Sequence, residues 1–147
     1  QYPNIHLTIA GDGELRSEIE TLIEQLQLSD HVTLLGRRND IPVLMKQADF
    51  FILPSKYEGF GLVVAEAMAC GTFAIATDCG GVKEVMGQTG LLVPPQNSQA
   101  LSEAIICAVQ LSEDKRVDNN QRALQHVHKN FDLNRIIDQW EDIYGSK

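Results

Sequence analysis

Five short apolar runs rich in branched side chains, Ile5 to Ala10, Val32 to Leu35, Phe50 to Leu53, Phe73 to Thr77 and Leu91 to Val93, alternate with stretches of helical periodicity. A strand that is apolar without interruption must be covered on both faces, and helical crossovers between such strands make them run parallel. The order therefore predicts an α/β fold, a Rossmann-like doubly wound parallel sheet in three αβα layers. Glu14 to Leu26 shows the helical pattern, with Leu15, Ile19, Leu22, Ile23 and Leu26 on one face and acids and Gln opposite. Leu62 to Cys70 has the length and Ala content of a short buried helix. Asp40 predicts a cap before Ile41-Pro42, and Ser98 a cap for a helix to about Leu111 with Leu101, Ile105, Ile106 and Val109 as its stripe. A more polar helix from Asp114 to about His128 and a last one over Leu133 to Tyr144 complete the pattern.

Size and charge limit what such a chain can bind. At 147 residues, 44% hydrophobic and 22% charged, it is read as one domain over 1–147 with a substantial core, and without repeats, low-complexity tracts or a flexible linker. Twelve basic against twenty acidic residues leave a charge of -8, which argues against nucleic acid or an anionic membrane as a broad partner. An anionic ligand would have to be held locally. The acids concentrate in Asp12 to Glu24 and Glu113 to Asp142, whereas Arg37, Arg38, Lys56 and Lys83 lie near expected turns. Cys70, Cys79 and Cys107 are odd in number and lack metal-ligand spacing, so buried thiols in a reducing compartment are expected. No run approaches the roughly eighteen apolar residues of a membrane span, and QYPNIHL has no features of a signal peptide, so the reading is cytoplasmic.

In doubly wound sheets ligands sit outside the carboxyl ends of the strands. That directs attention to Gly11 to Gly13, Gly36 to Asn39, Pro54 to Gly61 and Asp78 to Gly81. The segment KYEGFGLVVAEAMACG holds the densest chemistry, because Glu58 and Glu66 flank a glycine turn, Gly59-Phe60-Gly61, where strand hands over to helix. The first amides of a helix have no partner within it and the peptide dipoles add to partial positive charge, so a diphosphate can dock there without a dedicated cation. Two carboxylates beside it can accept hydrogen bonds from hydroxyls on either side of the diphosphate, which suits a nucleotide sugar. Glu66 is expected inside an apolar helix, where an unpaired charge costs several kcal/mol and requires a partner. The plainer alternative pairs Glu66 with the helix's own amino end or a neighbouring side chain and leaves Glu58 a solvated loop acid. Arg37 can stack on a base or pair with phosphate, or can be a solvated turn residue, which is the favoured reading of Arg38. Gly11-Asp12-Gly13 and Gly80-Gly81 read as structural turns, and His6, His31, His126 and His128 as surface or structural groups.

The segment with Glu58 and Glu66 resembles the E-x7-E signature of the retaining GT-B fold glycosyltransferases of family four. IHLTIAGDGEL, VTLLGRRND, ADFFILPS, GTFAIATDCGGVKEV and GLLVPP resemble that family's successive blocks, in the family's order, over nearly the whole chain. The resemblance implies the carboxyl-terminal, donor-binding domain of a transferase that moves a sugar from a UDP- or GDP-sugar to a glycan or lipid-linked acceptor in polysaccharide biosynthesis. It implies that Glu58 contacts hydroxyls of the donor sugar and that Glu66 grips the ribose hydroxyls. Backbone amides around Gly59, Phe60, Gly61, Leu62 and Val63 would meet sugar and diphosphate, with Arg37 against the base. The two glutamates would be the catalytic pair as binding and orienting groups, not as general acid and base. The anomeric configuration would be retained, and neither a cofactor nor a protein-bound metal would be required.

The family's amino-terminal acceptor domain has no counterpart in these residues, nor does an upstream strand ending in a Gly-Arg pair with a lysine shortly after. By analogy that strand is the central one, flanked by Ile5 to Ala10 and Phe50 to Leu53. A vacant slot would predispose the chain to self-association, and no transferase turnover is expected from these residues alone. The longer protein would be compatible with a peripheral position at the inner face of a membrane. Alternatives are a non-catalytic nucleotide-binding or regulatory α/β module, and a sugar-nucleotide epimerase-type GT-B domain or a phosphorylase.

Overall fold

The computed structural model describes residues 4–145, apart from the side chains at 136, 139 and 145. The stretch at 1–3, part of the segment read for a signal peptide, lies outside the described residues. Two compact units divide between Ile41 and Pro42, and all strand pairing is parallel, as the alternating pattern predicts.

The first unit carries β1 (Leu7–Ala10), α1 (Arg16–Gln25) and β2 (Val32–Gly36). Leu7 pairs with Val32 and Ile9 with Leu34, and the register shifts before Ala10 meets Gly36. The strand starts later than the apolar run: Leu7 N–H makes the first backbone bond, to His31 O at 2.8 Å, and Ile5 O instead meets the His31 side chain, 3.2 Å from Nδ1. The expected inward stripe of α1 is mostly open: Leu15, Leu22 and Leu26 are 61, 52 and 57% exposed, and Ile23 alone of the five is half-buried. Two paired strands make a sheet too narrow to cover a helix face of that length. Asp12 takes the structural role expected of it, accepting from Gly13 N–H at 3.0 Å.

In the second unit, β3 (Phe50–Leu53), β4 (Phe73–Thr77) and β5 (Leu91–Val93) form a sheet in the order β3-β4-β5. Ahead of it α2 (Ile41–Gln47) begins at the division, and Thr72 Oγ1 donates to Met45 O at 2.6 Å to tie that helix to the start of β4. The connections and tail are α3 (Leu62–Ala69), α4 (Val82–Met86), α5 (Ser98–Val109), α6 (Glu113–Phe131) and α7 (Leu133–Gly145).

Strand β4 is buried throughout, and its side chains alternate between two cores. Phe73 and Ile75 pack with Ala108, Leu101 and Ile105 of α5. Ala74 and Ala76 face the other way, toward Val64 and Met68 of α3, Val82 and Val85 of α4, and Ala123 of α6. Small residues on that face let three helices approach the sheet, and each fully buried Ile or Met contributes about 1.5 to 3 kcal/mol. This unit thus has the αβα layering expected. Strands β1 and β3, between which the resemblance implies a further strand, are each hydrogen-bonded along one edge only among the described residues.

Two local readings are corrected. The cap of α5 is Asn97, whose Oδ1 accepts from Ala100 N–H at 2.9 Å, so Ser98 is its first helical residue. Cys107 is exposed, while Cys70 and Cys79 are half-buried, and all three thiols are free. The stripe of α5 explains Cys107: Leu101, Ala104, Ile105 and Ala108 face the sheet, and position 107 falls outside that face.

Candidate functional site

Beyond β3 the chain enters Pro54 to Gly61, and the end of β4 fixes its path. The buried Thr77 donates from Oγ1 to Ser55 O at 2.6 Å, and also lies 3.3 Å from Leu53 O. Cys79 Sγ adds a contact to the same Ser55 carbonyl at 3.5 Å. Ser55 in turn donates from Oγ to Glu58 Oε1 at 2.7 Å, which orients the first of the two signature carboxylates. Glu58 Oε2 accepts nothing among the described residues, so a carboxylate with about four acceptor positions retains most of them.

The glycines work by contact. Gly61 has φ +83 and is the cap of α3, and a Cβ there would stand 2.8 Å from Val82 Cγ2. A Cβ on Gly80 would overlap the carbonyl oxygen of Glu58, and Gly81 N–H donates to Gly59 O at 2.9 Å. The turn carrying Glu58 is therefore laid directly on the turn before α4. Gly80 and Gly81 lead into that helix, as read from sequence, and also seat the neighbouring loop. Phe60 covers Gly81 and meets Phe131 edge to face, with ring centroids 5.6 Å apart.

Glu66 lies on the open side of α3. Val64, Ala65, Ala67 and Met68 supply the buried face, leaving Leu62, Glu66 and Ala69, each about one turn from the next, exposed. This corrects the expectation of a charge enclosed by apolar surroundings: the helix is apolar in composition, but its acidic residue is not buried. The alternative of an internally satisfied carboxylate does not hold either, since Glu66 makes no side-chain hydrogen bond or ion pair among the described residues. At the start of the helix Val64 N–H donates to Gly61 O at 2.9 Å, while the amides of Leu62 and Val63 have no acceptor among the described residues. Gly59, Phe60, Gly61, Leu62, Val63 and both glutamates thus belong to one continuous turn and first helical turns.

Arg37 belongs to the first unit, is exposed, and has no partner among the described residues. Arg38 instead grips Asp40, Nε to Oδ1 at 2.8 Å and Nη2 to Oδ2 at 2.6 Å. The hydrogen bond from Arg38 holds the Asp40 carboxyl below its ordinary range and raises the guanidinium. Asp40 is thereby committed to an ion pair, not to the helix cap expected of it. Lys56 lies over the Tyr57 ring at 5.1 Å, and Lys83 is exposed on α4. Among the described residues no cluster of His, Cys, Asp and Glu could hold a metal ion.

Sequence reasoning missed Ser55, Thr77 and Phe131. Thr77 left a signal, a hydroxyl closing an otherwise apolar buried strand, where an unsatisfied group would be costly. Phe131 left none, because its partner lies seventy-one positions away.

Residues 1–126 match the family described as glycosyl transferases group 1. The chain is 35% identical over 142 residues to N-acetyl-alpha-D-glucosaminyl L-malate synthase of Bacillus anthracis, covering 94% of this chain and 36% of that protein. It is 36% identical over 121 residues to the lipopolysaccharide core biosynthesis mannosyltransferase LpcC of Rhizobium leguminosarum bv. viciae, covering 81% of this chain and 34% of that protein. Its structure is similar to that of Alr3699/HepE of Anabaena, solved in complex with UDP, with a TM-score of 0.89 and 28% identity over 99% of this chain and 42% of that one. The chain spans about a third to two-fifths of the length of these proteins. With most of its residues matched in sequence and its fold matched throughout, the chain belongs to the glycosyl transferases group 1 family.

Proposed function

We propose that residues 1–147 form the nucleotide-sugar-binding domain of a glycosyltransferase that transfers a sugar to a glycan or lipid-linked acceptor with the help of an acceptor-binding domain. The observation that carries this reading is the state of α3's beginning: amides at Leu62 and Val63 and an exposed carboxylate at Glu66 that have no partner among the described residues, and a Glu58 already oriented by Ser55. The Anabaena protein is solved with UDP, with UDP and glucose, and with UDP-glucose, which supports a nucleotide sugar as the ligand class. Relatives named for lipopolysaccharide core and exopolysaccharide chemistry support polysaccharide biosynthesis as the setting.

In this reading Glu66 accepts from the ribose hydroxyls, Glu58 Oε2 from a hydroxyl of the donor sugar, and the amides around Phe60 to Val63 meet the diphosphate. When the bond between the anomeric carbon and the diphosphate breaks, charge grows on the departing oxygen, and preorganised amides at a helix start stabilise it without reorganisation. The acceptor oxygen then bonds from the same face and its proton passes to the departing diphosphate, so configuration is retained. No protein-bound metal enters this scheme.

Ligand-observed NMR with UDP, GDP, ADP and their sugar conjugates tests the binding. At least one nucleotide should show saturation transfer that its sugar conjugate displaces, and no glycosyl transfer should accompany it from these residues alone. Absence of binding to every nucleotide would contradict the reading, and turnover by the purified chain would contradict the need for a second domain.

A further inference from the structure

The turn at Glu58 to Gly61 carries two glycines and is costly to order, since glycine loses more backbone freedom on folding than any other residue. Its one large side chain, Phe60, is 39% exposed, so burial alone does not hold it. One side of Phe60 rests on Gly81, where a Cβ would stand 3.1 Å from both Phe60 Cα and Cδ2. The other restraint comes from the far end of α6, where Phe131 meets Phe60 with the rings 79° apart.

Phe131 is itself well fixed. It packs with the core formed by Val64, Val82 and Ala123. His126 stands edge to face with it at 5.8 Å and 70°. The His126 ring lies over Gly87, Nε2 reaches Glu84 O at 3.3 Å, and Asn130 Nδ2 lies 3.1 Å from Nδ1 while also donating to the His126 carbonyl. A carbonyl can only accept, so the hydrogen is on Nε2, and Nδ1 is then free to accept from Asn130. One residue beyond Phe131, Asp132 Oδ1 accepts from Asn134 N–H at 3.0 Å and Arg135 N–H at 3.3 Å, which starts α7 and ends α6 at that ring. Three rings from two distant segments thus run from α4 to the turn.

We propose that Phe131 is a positioning residue for the turn at 58–61: its ring, steadied by His126, holds Phe60 and so fixes where Glu58 and the amides of Leu62 and Val63 point. The consequence for ligand rests on the donor-binding reading above. Aromatic edge contacts hold ring geometry as well as burying area, so a leucine of similar bulk preserves the core but not the orientation.

Amide hydrogen exchange and titration with UDP and UDP-glucose test this on Phe131→Ala, Phe131→Leu and a control, Leu101→Ala, in the opposite core. In Phe131→Ala, exchange of the Val64 and Gly81 amides, which donate to Gly61 O and Gly59 O of the turn, should rise about fivefold beyond any change in the rest of the second unit, and UDP-glucose should lose about fivefold in affinity with a smaller loss for UDP. Phe131→Leu should show an intermediate rise, and it carries the test if the alanine variant does not fold. Leu101→Ala should leave the turn in step with the rest of the unit. Exchange of the Val64 and Gly81 amides that stays in step with the whole unit in both Phe131 variants would overturn the positioning role. If the unaltered protein bound no nucleotide, the donor-binding reading would fail, and the exchange comparison would still decide the role of Phe131.

Discussion

Ser55 donates a 2.7 Å hydrogen bond to Glu58, so the first signature carboxylate is held from its own loop while its second oxygen has no partner among the described residues. The same Ser55 offers its carbonyl to Thr77, which links the carboxylate's position to the end of the buried central strand. Removing the hydroxyl in Ser55→Ala should leave the fold intact and let the carboxylate swing. Affinity for a nucleotide sugar is expected to fall about threefold to tenfold, the effect of losing one hydrogen bond to a charged group partly made good by water, with bare nucleotide unaffected. Calorimetric titration with both ligands measures the split.

Thr77→Val keeps shape and removes the hydroxyl that Ser55 O uses. The carbonyl retains a contact from Cys79 Sγ, a weaker donor. A loss of about 1 to 3 kcal/mol is expected in chemical denaturation, as for a part-buried acceptor left short of a partner. An unchanged midpoint would show that the loop path does not depend on this bond.

Gly80→Ala should be severe because φ is +55 and the new methyl would overlap the carbonyl of Glu58. Backbone on both sides must shift, at about 1 to 3 kcal/mol for the conformation and more for the overlap. Gly13→Ala has open space around it and no left-handed backbone, so it should be tolerated. Thermal denaturation of the two variants compares them directly.

The Arg38–Asp40 pair gives a pH dependence of known sign. Its hydrogen bond lowers the Asp40 pKa in the folded protein, so the folded state favours the ionised form. The contribution is complete above the unfolded value of about 3.9 and is lost as pH falls through the lower folded value. Both side chains are partly exposed, so the effect should be small and weaken with salt. Carboxyl NMR should place the Asp40 midpoint below that of a free aspartate, and Arg38→Ala should return it to the ordinary range.

Much of this was legible in sequence because it depends on local periodicity. The runs at Phe50, Phe73 and Leu91 became strands with the expected bounds, and the glycine turn before α3 was placed by the change of period between strand and helix. Exposure was not legible. The letters of α3 show an apolar helix, but which side of it faces solvent depends on β4, α4 and α6, which put Glu66 outside. The stripe on α1 misled for a related reason, since periodicity states that a face exists but not that anything covers it. Asp40 could cap or pair, and an arginine two positions earlier decided between them.

The division of labour between the two glutamates is the claim on which the functional reading rests, and titration of Glu66→Ala and Glu58→Ala with a nucleoside diphosphate and its sugar conjugate tests it most directly. Glu66→Ala is expected to lose about tenfold to a hundredfold in affinity for both ligands, the range for a hydrogen bond to a charged group. Glu58→Ala is expected to lose affinity for the conjugate alone. Equal losses of bare nucleotide in the two variants, or none in Glu66→Ala, would contradict the account.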